Sequence, residues 1–184
     1  MAKDRVLVTG ATGFIAKHCI AELLGQDFEI RATLRNLRKA DCVRAAVARA
    51  RGLAFIDEDA IEFVKADLTA DQGWAEAVAG CRYVLHVASP FPLQDPRNRD
   101  ELIEPARDGT MRVLRAARQA GVERVVLTSS MAAIVYGADD PPVDRMLTED
   151  DWSDPDRRGM TAYLASKTIS ERTAWEWMEQ EWQK

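Results

Sequence analysis

A doubly wound α/β fold is what this chain of 184 residues predicts: a parallel sheet of about five strands with helices on both faces. Three observations carry that expectation. The chain opens on a β-branched run that passes through two glycines into an apolar helical repeat. Short apolar runs then alternate with helical patterns to the last residues, the rhythm that builds parallel sheets. Gly10, Asp67, Ala88 and Ser129 each follow a strand run, and the carboxyl ends of such strands form the crevice where ligands bind.

Taken in order, Arg5 to Thr9 reads as a buried parallel strand. Beyond Gly10 and Gly13, the residues Ile15, Cys19, Ile20, Leu23 and Leu24 recur at helical spacing. Phe28 to Leu34 is a second strand, and Arg38 to Arg51, rich in alanine and arginine, a helix by propensity. Ile61 to Lys65 is a third strand, ending at Asp67 and Leu68. Ala70 to Ala79 reads as a helix closed by Gly80. Arg82 to Val87 is a fourth strand, and Ser89 to Arg99, with three prolines, a loop. Glu101 to Ala120 is a long helix stopped by Gly121, and Val122 to Thr128 a fifth strand. Met131 to Gly159 is a loop-rich excursion before a last helix, Thr161 to Gln183. The length suits one domain over residues 1–184, a dinucleotide-binding one on the motifs below.

Composition narrows the classes. The 47% apolar and 30% charged content is that of an ordinary soluble globule. A net charge of −5 argues against nucleic acid or an anionic membrane as partner. No apolar run reaches the length of a membrane span, and the first strand starts too early to leave room for a signal peptide. Cys19, Cys42 and Cys81 are isolated and His18 and His86 far apart. The cysteines read as reduced thiols of a cytoplasmic protein, and no metal site is expected.

The opening segment, Arg5-Val-Leu-Val-Thr-Gly-Ala-Thr-Gly-Phe-Ile-Ala16, has the strand–turn–helix context of a dinucleotide fingerprint. Gly10 permits the tight turn, Gly13 lets backbone approach a pyrophosphate, and Ala16 is the small residue allowed third. The helix that follows aims its free N–H groups at that anion. An NAD site usually places an acid at the end of the second strand. Here that end reads Arg31-Ala-Thr-Leu-Arg-Asn36, and the nearby acids Asp27 and Glu29 sit at the wrong end. Arg35 stands where a 2′-phosphate would lie, with Arg38 and Lys39 close by, which favours NADPH over NADH. Tyr163 and Lys167, four apart, share a helix face. An ammonium beside a phenol favours phenolate and suits the phenol to proton transfer. Ser129 and Ser130 supply hydroxyls that could hold a substrate carbonyl.

In that order, these features resemble an extended short-chain dehydrogenase/reductase of the dihydroflavonol reductase and cinnamoyl-CoA reductase branch. The residues that carry the resemblance are Val8-Thr-Gly-Ala-Thr-Gly-Phe-Ile-Ala16, Arg31-Ala-Thr-Leu-Arg35, Lys65-Ala-Asp-Leu68 and Gly80-Cys81. His86-Val-Ala-Ser-Pro90, Glu104-Pro-Ala106 with Gly109-Thr110, and Leu127-Thr-Ser-Ser130 continue it. Asp151-Trp-Ser-Asp-Pro155 and Tyr163-Leu-Ala-Ser-Lys-Thr168 complete it. The resemblance implies Ser130, Tyr163 and Lys167 as catalytic residues and NADP(H) as cofactor. It implies that Tyr163 protonates the oxygen of a small-molecule carbonyl substrate, that Ser130 orients it, and that Lys167 holds the ribose. It also implies a cofactor path along Gly10, Ala11, Thr12, Gly13, Phe14 and Ile15, with Arg35 at the 2′-phosphate. Asp67 and Leu68 would lie at the adenosine, Val87, Ala88 and Ser89 beside the nicotinamide ribose, and Thr128, Tyr163 and Lys167 also at the cofactor.

The resemblance covers the N-terminal half of such enzymes, which run to roughly twice single-domain size with a sixth strand and a C-terminal substrate lobe. Without that strand, Arg124 to Thr128 is expected to be an uncovered sheet edge. Trp175, Met178 and Trp182 form an apolar stripe on the last helix. Edge and stripe together predict self-association and no turnover by the chain alone. A nucleotide-sugar epimerase or dehydratase and a catalytically silent NADP-binding module remain alternative readings.

Overall fold

The computed structural model describes residues 3–92, 94, 96–137 and 145–181. By contacts, the chain divides into two compact units, residues 1–89 with 112–128 and residues 90–111 with 129–184.

The first unit contains the whole sheet: β1 (Arg5–Val8), β2 (Glu29–Leu34), β3 (Ile61–Lys65), β4 (Tyr83–His86) and β5 (Arg124–Leu127). Every pairing is parallel, in the order β3-β2-β1-β4-β5. This is the doubly wound order with β1 in the middle, as the alternating pattern predicts. Its helices are α1 (Phe14–Gly25), α2 (Ala40–Ala50), α3 (Trp74–Val78) and the Arg112–Gln119 part of α4 (Asp100–Gln119).

Strand β1 shows how four residues organise two layers. Successive side chains on a strand point to opposite faces. Leu7 enters one core with Trp74, Val78, Val113 and Ala117 of α3 and α4. Val6 and Val8 enter the other, with Ile20 of α1 and Val43 and Val47 of α2. Leu7, Val8 and Ile20 are fully shielded from solvent, each worth roughly 1.5–3 kcal/mol of burial. A strand apolar on both faces belongs at the centre of a parallel sheet.

Two helices begin later than propensity predicts, each for a local reason. The Arg38 to Arg51 helix opens as a tight turn, Leu37–Lys39, before α2. There Asn36 Oδ1 accepts from the Arg38 amide at 3.0 Å, a side-chain bond that competes with the first helical turn. The Ala70 to Ala79 helix shrinks to α3 because Gly73 sits at φ +87°, with any Cβ only 2.1 Å from the Lys65 carbonyl oxygen. The indole N–H of Trp74 donates to the carbonyls of Asp67 and Ala70, each at 3.0 Å, and pins that turn.

Arg31, on β2, is buried. Its Nη1 donates to the carbonyls of Glu76, Ala77 and Ala79 at 3.0, 3.1 and 2.6 Å. Its Nε stands 2.9 Å from Glu62 Oε2. A guanidinium thus caps the exposed carbonyls at the end of α3, where a cation suits the helix dipole.

The second unit holds Asp100–Met111 of α4, a short α5 (Ala132–Val135) and the long α6 (Ala162–Glu181). The sequence reads α5 only as part of an irregular excursion, and four residues are too few to show a helical period. Ser153 fastens it: the Oγ donates to the Ala132 carbonyl at 2.7 Å and accepts from the Tyr136 amide at 2.8 Å. Thr168 of α6 donates to the same Ala132 carbonyl at 3.3 Å. Gln183, the expected end of α6, lies outside the described residues. Among the described residues, no helix is long and apolar enough to cross a membrane.

Candidate functional site

In the first unit, the expected cofactor residues follow the carboxyl ends of the parallel strands. Gly10 comes two residues after β1, at φ +71°, a left-handed conformation that glycine adopts without penalty. A Cβ there would lie 2.9 Å from Ala88 Cβ and 3.1 Å from Ala88 Cα, so the β1 turn and the β4 end touch through bare backbone. The Gly10 amide donates to Thr33 Oγ1 and the Ala11 amide to the Thr33 carbonyl, each at 3.0 Å. Ala11 is buried, while Thr12, Gly13, Phe14 and Ile15 are exposed. Gly13 is the N-cap of α1, with no side chain capping the helix and no acid in its first turn. A helix start with free amides and no nearby carboxylate fits a phosphate group.

Thr9 joins this turn to β4. Its Oγ1 accepts from the amides of Val87 and Ala88 at 3.1 and 3.0 Å, and its own proton is directed at His86 Nδ1, 2.8 Å away. Ser89 follows directly, and the Thr128 amide, just past β5, donates to the His86 carbonyl at 3.0 Å. At the ends of β2 and β3, Arg35 is exposed and Asp67 half-buried. The Asp67 carboxylate is held below its ordinary range, first by the Thr69 amide, against the opposing effect of burial, and then by the Thr69 hydroxyl and the Arg35 charge. The two Thr69 bonds are 3.0 and 2.9 Å and both use Oδ1. Leu68 packs on the core with Trp74 and Val64. Among the described residues, no group of three or more His, Cys, Asp or Glu could hold a metal ion.

The second unit holds the expected catalytic set. Tyr163 and Lys167 lie one turn apart on α6. Tyr163 is half-buried, and Phe91 packs edge-on against it with ring centres 5.1 Å apart. Lys167 is 9% exposed. Burial pushes its ammonium below the ordinary lysine range, and the Glu171 carboxylate pulls the other way. Ser130 Oγ accepts from the Ala132 amide at 3.2 Å, and its carbonyl from the Ala133 amide at 3.0 Å. Accepting one bond leaves the hydroxyl proton to be donated elsewhere. Ser129 donates to Glu171.

Three features here escape a reading of the sequence. Thr9 and His86 meet across 77 positions of chain, a pairing that only the β1–β4 register sets. Ser153 lies in the Asp151 to Pro155 block, with nothing local to say that it fastens α5. Glu171 continues the helical spacing of Tyr163 and Lys167, and that spacing was a usable signal.

The sequence model of the NAD dependent epimerase/dehydratase family matches residues 6–183. Dihydroflavonol 4-reductase of Hordeum vulgare is 36% identical, an alignment covering 95% of this chain and 49% of the reductase. Cinnamoyl-CoA reductase 1 of Petunia hybrida is also 36% identical, over 93% of this chain and 49% of that protein. The crystal structure of Gre2 from Candida albicans in complex with NADPH superposes with a TM-score of 0.78 and 27% identity, covering 97% of this chain and 54% of that one. The chain thus spans about half the length of the curated relatives it matches. With the glycine turn after β1, the parallel order around it and a match that takes in nearly every residue, the chain belongs to the NAD dependent epimerase/dehydratase family, the extended short-chain dehydrogenases/reductases.

Proposed function

We propose that this chain serves the NADPH-dependent reduction of an aldehyde or ketone. The observation that carries the reading is Tyr163 one helical turn from a buried Lys167, with Ser130 in the same unit. The first unit adds a turn at Gly10 and Gly13 that suits a pyrophosphate and a cationic β2 end that suits a 2′-phosphate. The reductases among its relatives, and the NADPH complex of Gre2, support the choice of cofactor and reaction.

When bound, NADPH supplies the hydride that goes to the carbonyl carbon. Arg35 would hold the 2′-phosphate as a forked guanidinium, and Asp67 would offer the adenosine end the carboxylate oxygen that Thr69 leaves open. Ser130 donates its hydroxyl proton in a hydrogen bond to the substrate oxygen and orients it. Tyr163 gives that oxygen its proton as charge develops there. Lys167 stabilises the phenolate left behind, and a cation close to a phenol is what lowers its proton affinity.

Titrating the chain with NADPH and NADH tests the cofactor half, with NADPH binding at least tenfold tighter. R35D should weaken NADPH by one to two orders of magnitude, the loss expected for a charge-assisted pair. Equal affinity for the two cofactors would overturn the assignment. In a protein that reduces a panel of aldehydes and ketones, Y163F should abolish turnover and leave NADPH affinity nearly intact, since the loss belongs to kcat.

A further inference from the structure

Helix α6 carries a third titratable residue at the interval that joins Tyr163 and Lys167. Glu171 lies one turn past Lys167, is half-buried, and receives the Ser129 hydroxyl. Ser129 is bonded directly to Ser130, whose Oγ and carbonyl accept the Ala132 and Ala133 amides at the start of α5. One carboxylate therefore touches the serine turn and stands next to the lysine. We propose that Glu171 is a positioning residue of this set, anchoring the Ser129–Ser130 turn to α6 and standing as the counter-ion of Lys167.

The physical need is plain. Burying an ammonium without an opposite charge is costly, and an unpaired lysine in such a place gives up its proton instead. Burial disfavours the charge on Lys167, and Glu171 opposes it. Helix α5, which packs on α6, is Ala-Ala-Ile-Val and brings no ionisable group. Tyr163 is the titratable neighbour on the preceding turn.

This inference rests on the proposed role of Lys167, yet its test needs neither cofactor nor substrate. The Lys167 side chain is titrated by 13C NMR at its Cε in the 184-residue chain and in E171Q, E171D and S129A, with each fold checked by its thermal melt. E171Q keeps an acceptor for Ser129 but loses the charge, so the Lys167 midpoint should fall by about one pH unit. E171D keeps the charge and should restore most of that unit, and S129A should leave the midpoint near that of the parent. A folded E171Q that titrates with the parent would overturn the proposal, as would an E171D that falls as far as E171Q. Should E171Q fail to fold, the parent decides: the Lys167 resonance must move as the Glu171 carboxyl resonance takes up its proton, and a lysine blind to that event would overturn the proposal equally. A chain that titrates as expected but binds no NADPH would refute the reductase reading and leave this one standing.

Discussion

Gly10 and Gly121 share a backbone angle of φ +71° but differ in surroundings, and that difference isolates the meaning of the first glycine. Gly121 follows α4, where Val122 N donates back to the Ala117 carbonyl at 3.0 Å, and a Cβ on it would meet nothing within 4 Å. Alanine at Gly121 therefore suffers only the left-handed penalty of about 1–2 kcal/mol. Alanine at Gly10 suffers the same penalty and also drives a methyl to 2.9 Å from Ala88 Cβ and 3.1 Å from its Cα. Ala88 cannot swing away, because its amide is held by Thr9 Oγ1 at 3.0 Å. Overpacking of that kind adds about 1–3 kcal/mol. At about 2–4 °C per kcal/mol for a chain of this size, G10A should melt roughly 2–12 °C below G121A. NADPH titration completes the assay: G10A, which parts the β1 turn from the β4 end, should lose affinity at least tenfold, and G121A should bind as the parent does. Equal melting losses would refute the close approach as the reason for Gly10.

Arg31→Met should lower stability by about 3–5 kcal/mol in urea unfolding, because three carbonyls at the end of α3 lose their buried cationic donor; a loss below about 1 kcal/mol would mean that water replaces it freely. Acid should weaken the fold in a defined window. Asp67 and Asp151 have folded pKa values below their unfolded ones, so each contribution is complete above about pH 4 and lost as pH falls through the folded value. For Asp151, paired with Arg145 and lowered to about 2, the window runs from there down to pH 2, and D151N should flatten that part of the melting-temperature profile. Strand β5 is an edge of the sheet with Val126 51% exposed, so sedimentation should show concentration-dependent association that V126K suppresses; a monomer at every concentration would remove the edge as a contact.

The fold was legible because its signals are local. Two glycines after a β-branched run, and helical repeats between strands, are set by neighbours in sequence, and the order β3-β2-β1-β4-β5 follows from them. The placement of Arg35, Asp67, Tyr163 and Lys167 was legible for the same reason: each sits just past a strand or at a helical interval from its neighbour. Boundaries were less so. Propensity extends a helix from Ala70, and what starts α3 at Trp74 instead is the Lys65 carbonyl above Gly73, a contact between residues eight apart. Of the apolar stripe expected on α6, Trp175 is exposed and Met178 half-buried, while Trp182 lies outside the described residues.

By itself, then, the sequence determined which residues lie at strand ends, which share a helix face, and which family they belong to. Tertiary structure alone decided what those residues touch. Arg31 reads in the sequence as an ordinary strand arginine, yet three carbonyls of α3 converge on it. Thr9 reads as the last residue of a strand, yet it binds the histidine that ends β4 and the two amides that follow it. Glu171 shows in the sequence no more than a helical interval from Lys167, yet it accepts from Ser129, 42 positions away along the chain. Periodicity is a property of neighbouring residues and survives in one dimension, whereas a buried polar group finds its partners only where separate segments pack and water is excluded.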